Sequence, residues 1–206
     1  MRAWKRHGRG ARVRYVATLD RSEASVLRGL LHQVDDMLAG REDAAPADEL
    51  TALTGIRTGP STPPEDPVLA RLLPDFHRPD SDPARADPAR DDPARDDPHG
   101  AAPAGEQLSA ALRSVREPEL VEAKRAALAT VLETCVEGGG RVELSTSQAE
   151  EWLTAVNDVR LALGTALEVT EDMPEQLPPD DPRTDHLPVY HWLTWLQDSL
   201  VTCLSA

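Results

Sequence analysis

Between Gly138 and Leu167 the chain reads GGGRVELSTSQAEEWLTAVNDVRLALGTAL, and this stretch limits the fold more than any other. Three glycines make a turn. Arg141-Val142-Glu143-Leu144 then alternates polar and apolar residues, the period of a strand with one buried face. Ser145 offers a side-chain oxygen to the first free amides of a helix, and Gln148, three residues on, completes a capping box. Within that helix Ala149, Trp152, Leu153, Val156, Val159, Leu163 and Leu167 recur at helical spacing and predict a buried stripe. Asn157, Asp158 and Arg160 interrupt it. Arg160 lies four residues after Val156 and three before Leu163, on the apolar side, so its guanidinium is expected to meet a carboxylate or backbone carbonyls across a helix interface. A structural clasp is the leading reading of this polar cluster, and a partner-binding role is the second.

The same grammar recurs near the start. Val13 to Leu19, with Tyr15, favours a strand; Asp20 and Glu23 form a second capping box; Val26, Leu27, Leu30, Leu31, Val34 and Met37 then predict a helix to about Leu38, stopped by Gly40. Two short strands do not stand alone in water, so they are expected to pair as a small antiparallel ribbon. Further helices are expected at about 47–53, at Val68 to Leu73 behind Asp66-Pro67, at Gln107 to Arg116, from Pro118 to about Cys135, and from Leu187 to Leu204. Residues 78–104 repeat Asp-Pro-Ala-Arg at 82–85, 87–90 and 92–95; repeated proline and scarce apolar surface predict a disordered linker. The expected fold is mainly α: one domain spanning 1–206, a compact bundle of about five helices with a two-stranded antiparallel ribbon. The disordered Pro/Asp-rich insert divides an N-terminal part (12–77) from a C-terminal part (105–206) of one core.

Charge is distributed unevenly. The chain has a formal net charge of −14, yet residues 1–14 carry Arg2, Lys5, Arg6, Arg9, Arg12 and Arg14 and no acid. The sequence suggests a flexible basic arm over 1–11, either a solubilising tail or an interaction arm built from Arg2, Trp4, Lys5, Arg6 and Arg9. An acidic body repels phosphate backbones, which leaves direct DNA contact a weak possibility and favours a protein partner. No run of about 18 apolar residues is long enough to span a bilayer, and the N-terminus lacks the apolar core of a secretory signal, so a cytoplasmic protein is expected.

Catalytic and metal patterns are missing. Cys135 and Cys203 are far apart in sequence and each continues an apolar helical stripe, so both read as small hydrophobes, with redox chemistry as the minor alternative. His186 and His191 stand five apart, about 140° around a helix, off a shared face. Asp35-Asp36, Asp91-Asp92 and Asp180-Asp181 are adjacent pairs that point apart, unlike a catalytic carboxylate pair. No GxSxG elbow or phosphate-binding GxxxxGK[ST] loop occurs. No cofactor, metal or catalytic site is expected.

Five blocks carry a resemblance: Met1 to Arg6, LTGIRTGPSTPPEDPVLARLLPDF at 53–76, EPELVEAKRAA at 117–127, the stretch at 138–167, and HLPVYHWLTWLQDSL at 186–200. Together they resemble an actinobacterial family of domains of unknown function that includes oxidative-stress transcriptional regulators (AosR-like). The resemblance implies a non-enzymatic regulator whose oxidised form engages an extracytoplasmic-function sigma factor and helps RNA polymerase transcribe cysteine-biosynthesis and related genes. In that family redox sensing is associated with a close cysteine pair near the N-terminus. Here Trp4 to Arg9 holds no cysteine, which closes that route in this chain. A structural or adaptor helical protein without transcriptional output is the alternative, and an enzyme the third.

Overall fold

The computed structural model describes residues 2–44, 58–75, 104–174 and 177–206. Its elements are strand β1 (Arg2–His7), a 3-10 turn at Gly10–Arg12, strand β2 (Arg14–Leu19), helix α1 (Arg21–Asp43), helix α2 (Pro67–Leu72), helix α3 (Ala104–Thr134), strand β3 (Gly140–Leu144), helix α4 (Thr146–Ala166) and helix α5 (Leu187–Leu204). The architecture is mainly helical with a small antiparallel sheet in the order β1-β2-β3. The helix expected at 47–53 and the linker expected at 78–104, apart from Ala104 in α3, lie outside the described residues.

Both strand–cap–helix units form as the sequence suggests. Asp20 Oδ1 accepts from the Glu23 amide at 2.9 Å while Glu23 Oε2 accepts from the Asp20 amide at 2.7 Å. Ser145 and Gln148 make the same reciprocal pair at 3.3 and 3.0 Å. The two strands pair antiparallel with Tyr15 opposite Leu144 and Ala17 opposite Val142, which puts all four side chains on the inward face. Gly139 turns the chain into β3 at φ +81°, and a Cβ there would stand 2.6 Å from the carbonyl carbon of Asp20. Only glycine lets this turn tuck beneath the N-terminus of α1.

Three expectations are corrected. First, the ribbon has a third strand. Residues 2–7, expected within a flexible arm, form β1 along β2, with Lys5 opposite Val16, Arg6 opposite Tyr15 and a bulge between Arg2 and Lys5. Trp4 anchors that strand: it is 3% exposed and meets Trp152 edge-on, ring centroids 5.2 Å apart at 79°. Second, α1 runs through Gly40 to Asp43. A helical glycine costs about 1 kcal/mol against alanine, but Arg41 and Glu42 in that last turn are tied down by ion pairs to Glu117 and Arg125. Third, α3 is one continuous helix with Pro118 inside it. Proline at 118 has no amide for the Ser114 carbonyl, four residues earlier. That carbonyl accepts from the Gly59 amide at 2.7 Å instead. Gly59 is buried against the proline ring, where a Cβ would lie 2.9 Å from Pro118 Cγ.

α4 is the hub. α1, α2, α3 and α5 all pack on it, and the sheet lies across its first turns. Ala149, Trp152, Ala155, Val156, Val159 and Ala162 are buried there. One apolar cluster joins these residues to Leu27, Leu31 and Leu38 of α1, Leu128 and Val131 of α3, and Leu193, Leu196 and Leu200 of α5.

Candidate functional site

The polar residues on α4 divide between two seams. Asp158 faces α3, where Lys124 Nζ donates to its Oδ1 at 2.6 Å. Its Oδ2 is buried without a partner among the described residues. Burial pushes this carboxyl above its usual range, and the Lys124 ammonium pulls part of that shift back. Asn157 faces α5: its Oδ1 accepts from Gln197 Nε2 at 3.2 Å and from the Arg160 guanidinium at 3.4 Å. Arg160 also donates to the Tyr190 hydroxyl at 3.4 Å. It meets no carboxylate among the described residues, contrary to the expectation from its position. Lys124, Tyr190 and Gln197, the partners on other helices, carry no local signal that would have singled them out.

The most heavily charged interior point among the described residues lies outside every expectation drawn from the sequence. Glu117 on α3 is 1% exposed and Arg113, one turn earlier, is 2% exposed. Glu117 Oε2 accepts from Arg113 at 2.6 Å, and its Oε1 accepts from Arg41 Nε of α1 at 2.7 Å. Arg113 reaches on to Asp75 at 2.5 Å and to the Leu73 carbonyl at 3.3 Å, while Arg41 donates to the Thr62 carbonyl at 2.5 Å. This node pins the 58–75 segment to α1 and α3, beside the Gly59–Pro118 contact. The visible signal was Arg113 and Glu117 at helical i,i+4 spacing just before a proline.

Both cysteines are free thiols. Cys135 is 1% exposed, and burial pushes its thiol up. Arg28 reaches past it to donate to the Leu132 and Cys135 carbonyls at 2.6 and 2.8 Å, closing the C-terminus of α3. Cys203 Sγ donates to the Trp4 carbonyl at 2.9 Å, and burial raises its thiol as well. Neither microenvironment favours a thiolate, the form that reacts with oxidants. Among the described residues, no three His, Cys, Asp or Glu side chains converge on a point that could hold a metal, and no helix is long and apolar enough to cross a membrane.

The residues expected as a basic arm are sorted by the sheet. Trp4 points inward. Arg2, opposite Thr18, and Lys5, opposite Val16, lie on the other face with His7 and Arg14. Thr18 and Val16 pair onward with Arg141 and Glu143. Arg6 is exposed but shares the register of inward-facing Tyr15, and exposed Arg9 lies beyond the strand. The outward face therefore carries four cations, Arg2, Lys5, Arg14 and Arg141, against one carboxylate, Glu143. All five are exposed.

A family model described as "Domain of unknown function (DUF2017)" matches residues 1–204. A protein named "Oxidative stress regulator AosR" in Mycobacterium bovis is 44% identical over 208 residues, covering 99% of this chain and 88% of the relative. A protein of the same name in Mycobacterium tuberculosis gives the same identity and coverage. A Mycobacterium leprae relative is 43% identical over 210 residues, covering all of this chain and 89% of its own length. No solved structure matches. By the match along almost its entire length and by these mycobacterial relatives, the chain belongs to the DUF2017 family.

Proposed function

We propose that this chain is a non-enzymatic regulator of the oxidative-stress response, working in the cytoplasm through contact with a sigma factor or RNA polymerase. The observation that carries the reading is the 44% identity, sustained over 99% of the chain, to proteins named as oxidative stress regulators. Contact with protein is favoured over broad contact with nucleic acid by the net charge of −14. A regulatory rather than catalytic role is favoured because the buried ionisable groups are tied into ion pairs within and between helices instead of lining an open site. Burial raises the thiols of Cys135 and Cys203 and so disfavours the thiolate, which argues that regulation in this chain does not run through a disulfide between them. The polar cluster Asn157, Asp158 and Arg160 serves as an internal clasp.

The test is affinity capture of the tagged full-length chain from its own host, with and without oxidant, joined to transcript measurement in a deletion strain. Recovery of a sigma factor or polymerase subunits, with an altered oxidant-induced transcript set in the deletion, supports the reading. Absence of both under oxidising and reducing conditions overturns it.

A further inference from the structure

Four cations collected on one face of a protein with net charge −14 need a physical reason. On the outward side of the sheet, Arg2, Thr18 and Arg141 form one cross-strand row, Lys5, Val16 and Glu143 the next, and His7 and Arg14 a third. α4 and α5 cover the opposite face, where Trp4, Tyr15, Ala17, Val142 and Leu144 are buried. Among the described residues, no carboxylate pairs with Arg2 or Lys5, and Arg14 donates only to its neighbouring carbonyl on Val13. Arg141 is held by Glu143 at 3.0 Å in an exposed pair, which a competing carboxylate can open at small cost.

Protection of a sheet edge does not account for this arrangement. Charged side chains on an edge strand do guard against unwanted pairing. Here, however, Arg14 sits on the central strand and Arg141 on the far one, and α5 already places Cys203 against the backbone of β1 at Trp4. Nucleic acid is the other polyanion to weigh. Its single-stranded forms bind to cationic sheets that also present stacking aromatic rings, and among the described residues this face presents no Phe, Tyr or Trp, since Trp4 and Tyr15 point inward. A duplex extends well beyond a three-stranded face, so its phosphates would also meet the acidic remainder of the chain, which a short acidic segment need not.

We infer that the outward face of the sheet, through Arg2, Lys5, Arg14 and Arg141, is a docking surface for an acidic polypeptide segment of a partner protein. This rests on the reading that the chain acts by protein contact. Neighbouring strands are about 4.8 Å apart, so Arg2 and Arg141, two strands apart in one row, stand about 10 Å apart, and Lys5 and Arg14, diagonal on adjacent strands, about 8 Å, within the range of carboxylates one to two turns apart on a helix. Guanidinium groups take carboxylates in two-point fashion, which gives such a face orientation as well as attraction. Its electrostatic character makes the encounter fast and strongly dependent on salt.

The experiment measures fluorescence anisotropy of a labelled 20-residue glutamate-rich peptide, and separately of a labelled 20-nucleotide single strand, against the full chain at several salt concentrations. The expected result is peptide binding that weakens as salt rises and falls at least about tenfold in the Arg2→Glu/Lys5→Glu variant. The Arg71→Glu/Arg116→Glu variant, with the same net charge but reversals at exposed helical positions, should bind within about twofold of the parent. Peptide binding unchanged in the sheet variant, or tighter binding of the oligonucleotide, overturns the inference. Repeating the host capture with the sheet variant separates this surface from the regulatory role. Polymerase or sigma-factor recovery that survives the reversal sinks the surface and leaves the role standing. Peptide binding lost on reversal, with no polymerase or sigma factor captured even by the parent, supports the surface and removes the role.

Discussion

Two buried carboxylates join α3 to the rest of the molecule, and they are held in different ways. Glu117 has both oxygens occupied, one by Arg41 of α1 and the other by Arg113. Asp158 has one oxygen on Lys124 and one without a partner among the described residues. A buried carboxylate is tolerable when each oxygen finds a donor, and it becomes a liability when one does not. The Glu117 node therefore reads as a closed structural joint. Asp158 holds α3 to α4 with part of its desolvation uncompensated, which is why burial raises its carboxyl despite the ammonium beside it.

The largest effect is expected at the closed joint. Glu117→Gln removes the charge that serves two guanidiniums and should destabilise the fold by about 3–5 kcal/mol, measured by urea denaturation. A loss below about 1 kcal/mol would show that solvent already reaches the node.

Lys124→Met should cost less, about 2–3 kcal/mol near neutral pH, because the stranded Asp158 can take up a proton. The direction with pH follows from the raised carboxyl. A folded state that binds this proton more tightly than the unfolded chain loses stability as pH rises from the ordinary carboxylate range through the raised value. The loss caused by Lys124→Met should accordingly shrink at pH 5 relative to pH 8. A loss that does not depend on pH would mean that Asp158 rehydrates in the variant. The double variant Lys124→Met/Asp158→Leu should recover most of the stability, since apolar pairs commonly replace buried ion pairs without loss.

A third contrast sets an uncharged contact beside these ionic ones. Gly59→Ala forces a Cβ against the ring of Pro118, which has little freedom to move, and should cost about 1–3 kcal/mol. Pro118→Ala removes the obstacle and gives Ser114 an amide within its own helix, so the two substitutions should couple. A double-mutant cycle with coupling under about 0.5 kcal/mol would show that the 58–66 segment is not seated on the proline.

These differences track what a single sequence can hold. Capping boxes at Asp20 and Ser145 and the alternation in both ribbon strands are local, three to five residues wide, and could be read directly. β1 could not: its only buried side chain is Trp4, and the cations around it look the same in a strand as in a free arm. The continuity of α3 was hidden for a related reason, since Pro118 signals a helix start until a distant amide, that of Gly59, takes up the freed carbonyl. Glu117 meets Arg41 across 76 residues and Arg113 meets Asp75 across 38, so their node lay outside any local window. The α4 cluster was visible as polar residues on an apolar stripe, but its division between α3 and α5 depends on which helix lies on each side.

That division yields the smallest prediction. Arg160 makes two hydrogen bonds of 3.4 Å to uncharged partners, Asn157 and Tyr190, and meets no carboxylate among the described residues. Long, neutral-acceptor bonds at a half-buried seam each contribute about 0.5–1.5 kcal/mol at most. Its Nε is also buried without a partner among the described residues, and that desolvation cost disappears on truncation. Arg160→Met, which keeps an apolar stem of similar length, should therefore change stability by less than about 1 kcal/mol, well below Lys124→Met on the opposite seam. A loss as large as that of Lys124→Met would mean that Asn157, Arg160 and Gln197 act as one network, and the two seams of α4 would then be alike in strength rather than unequal.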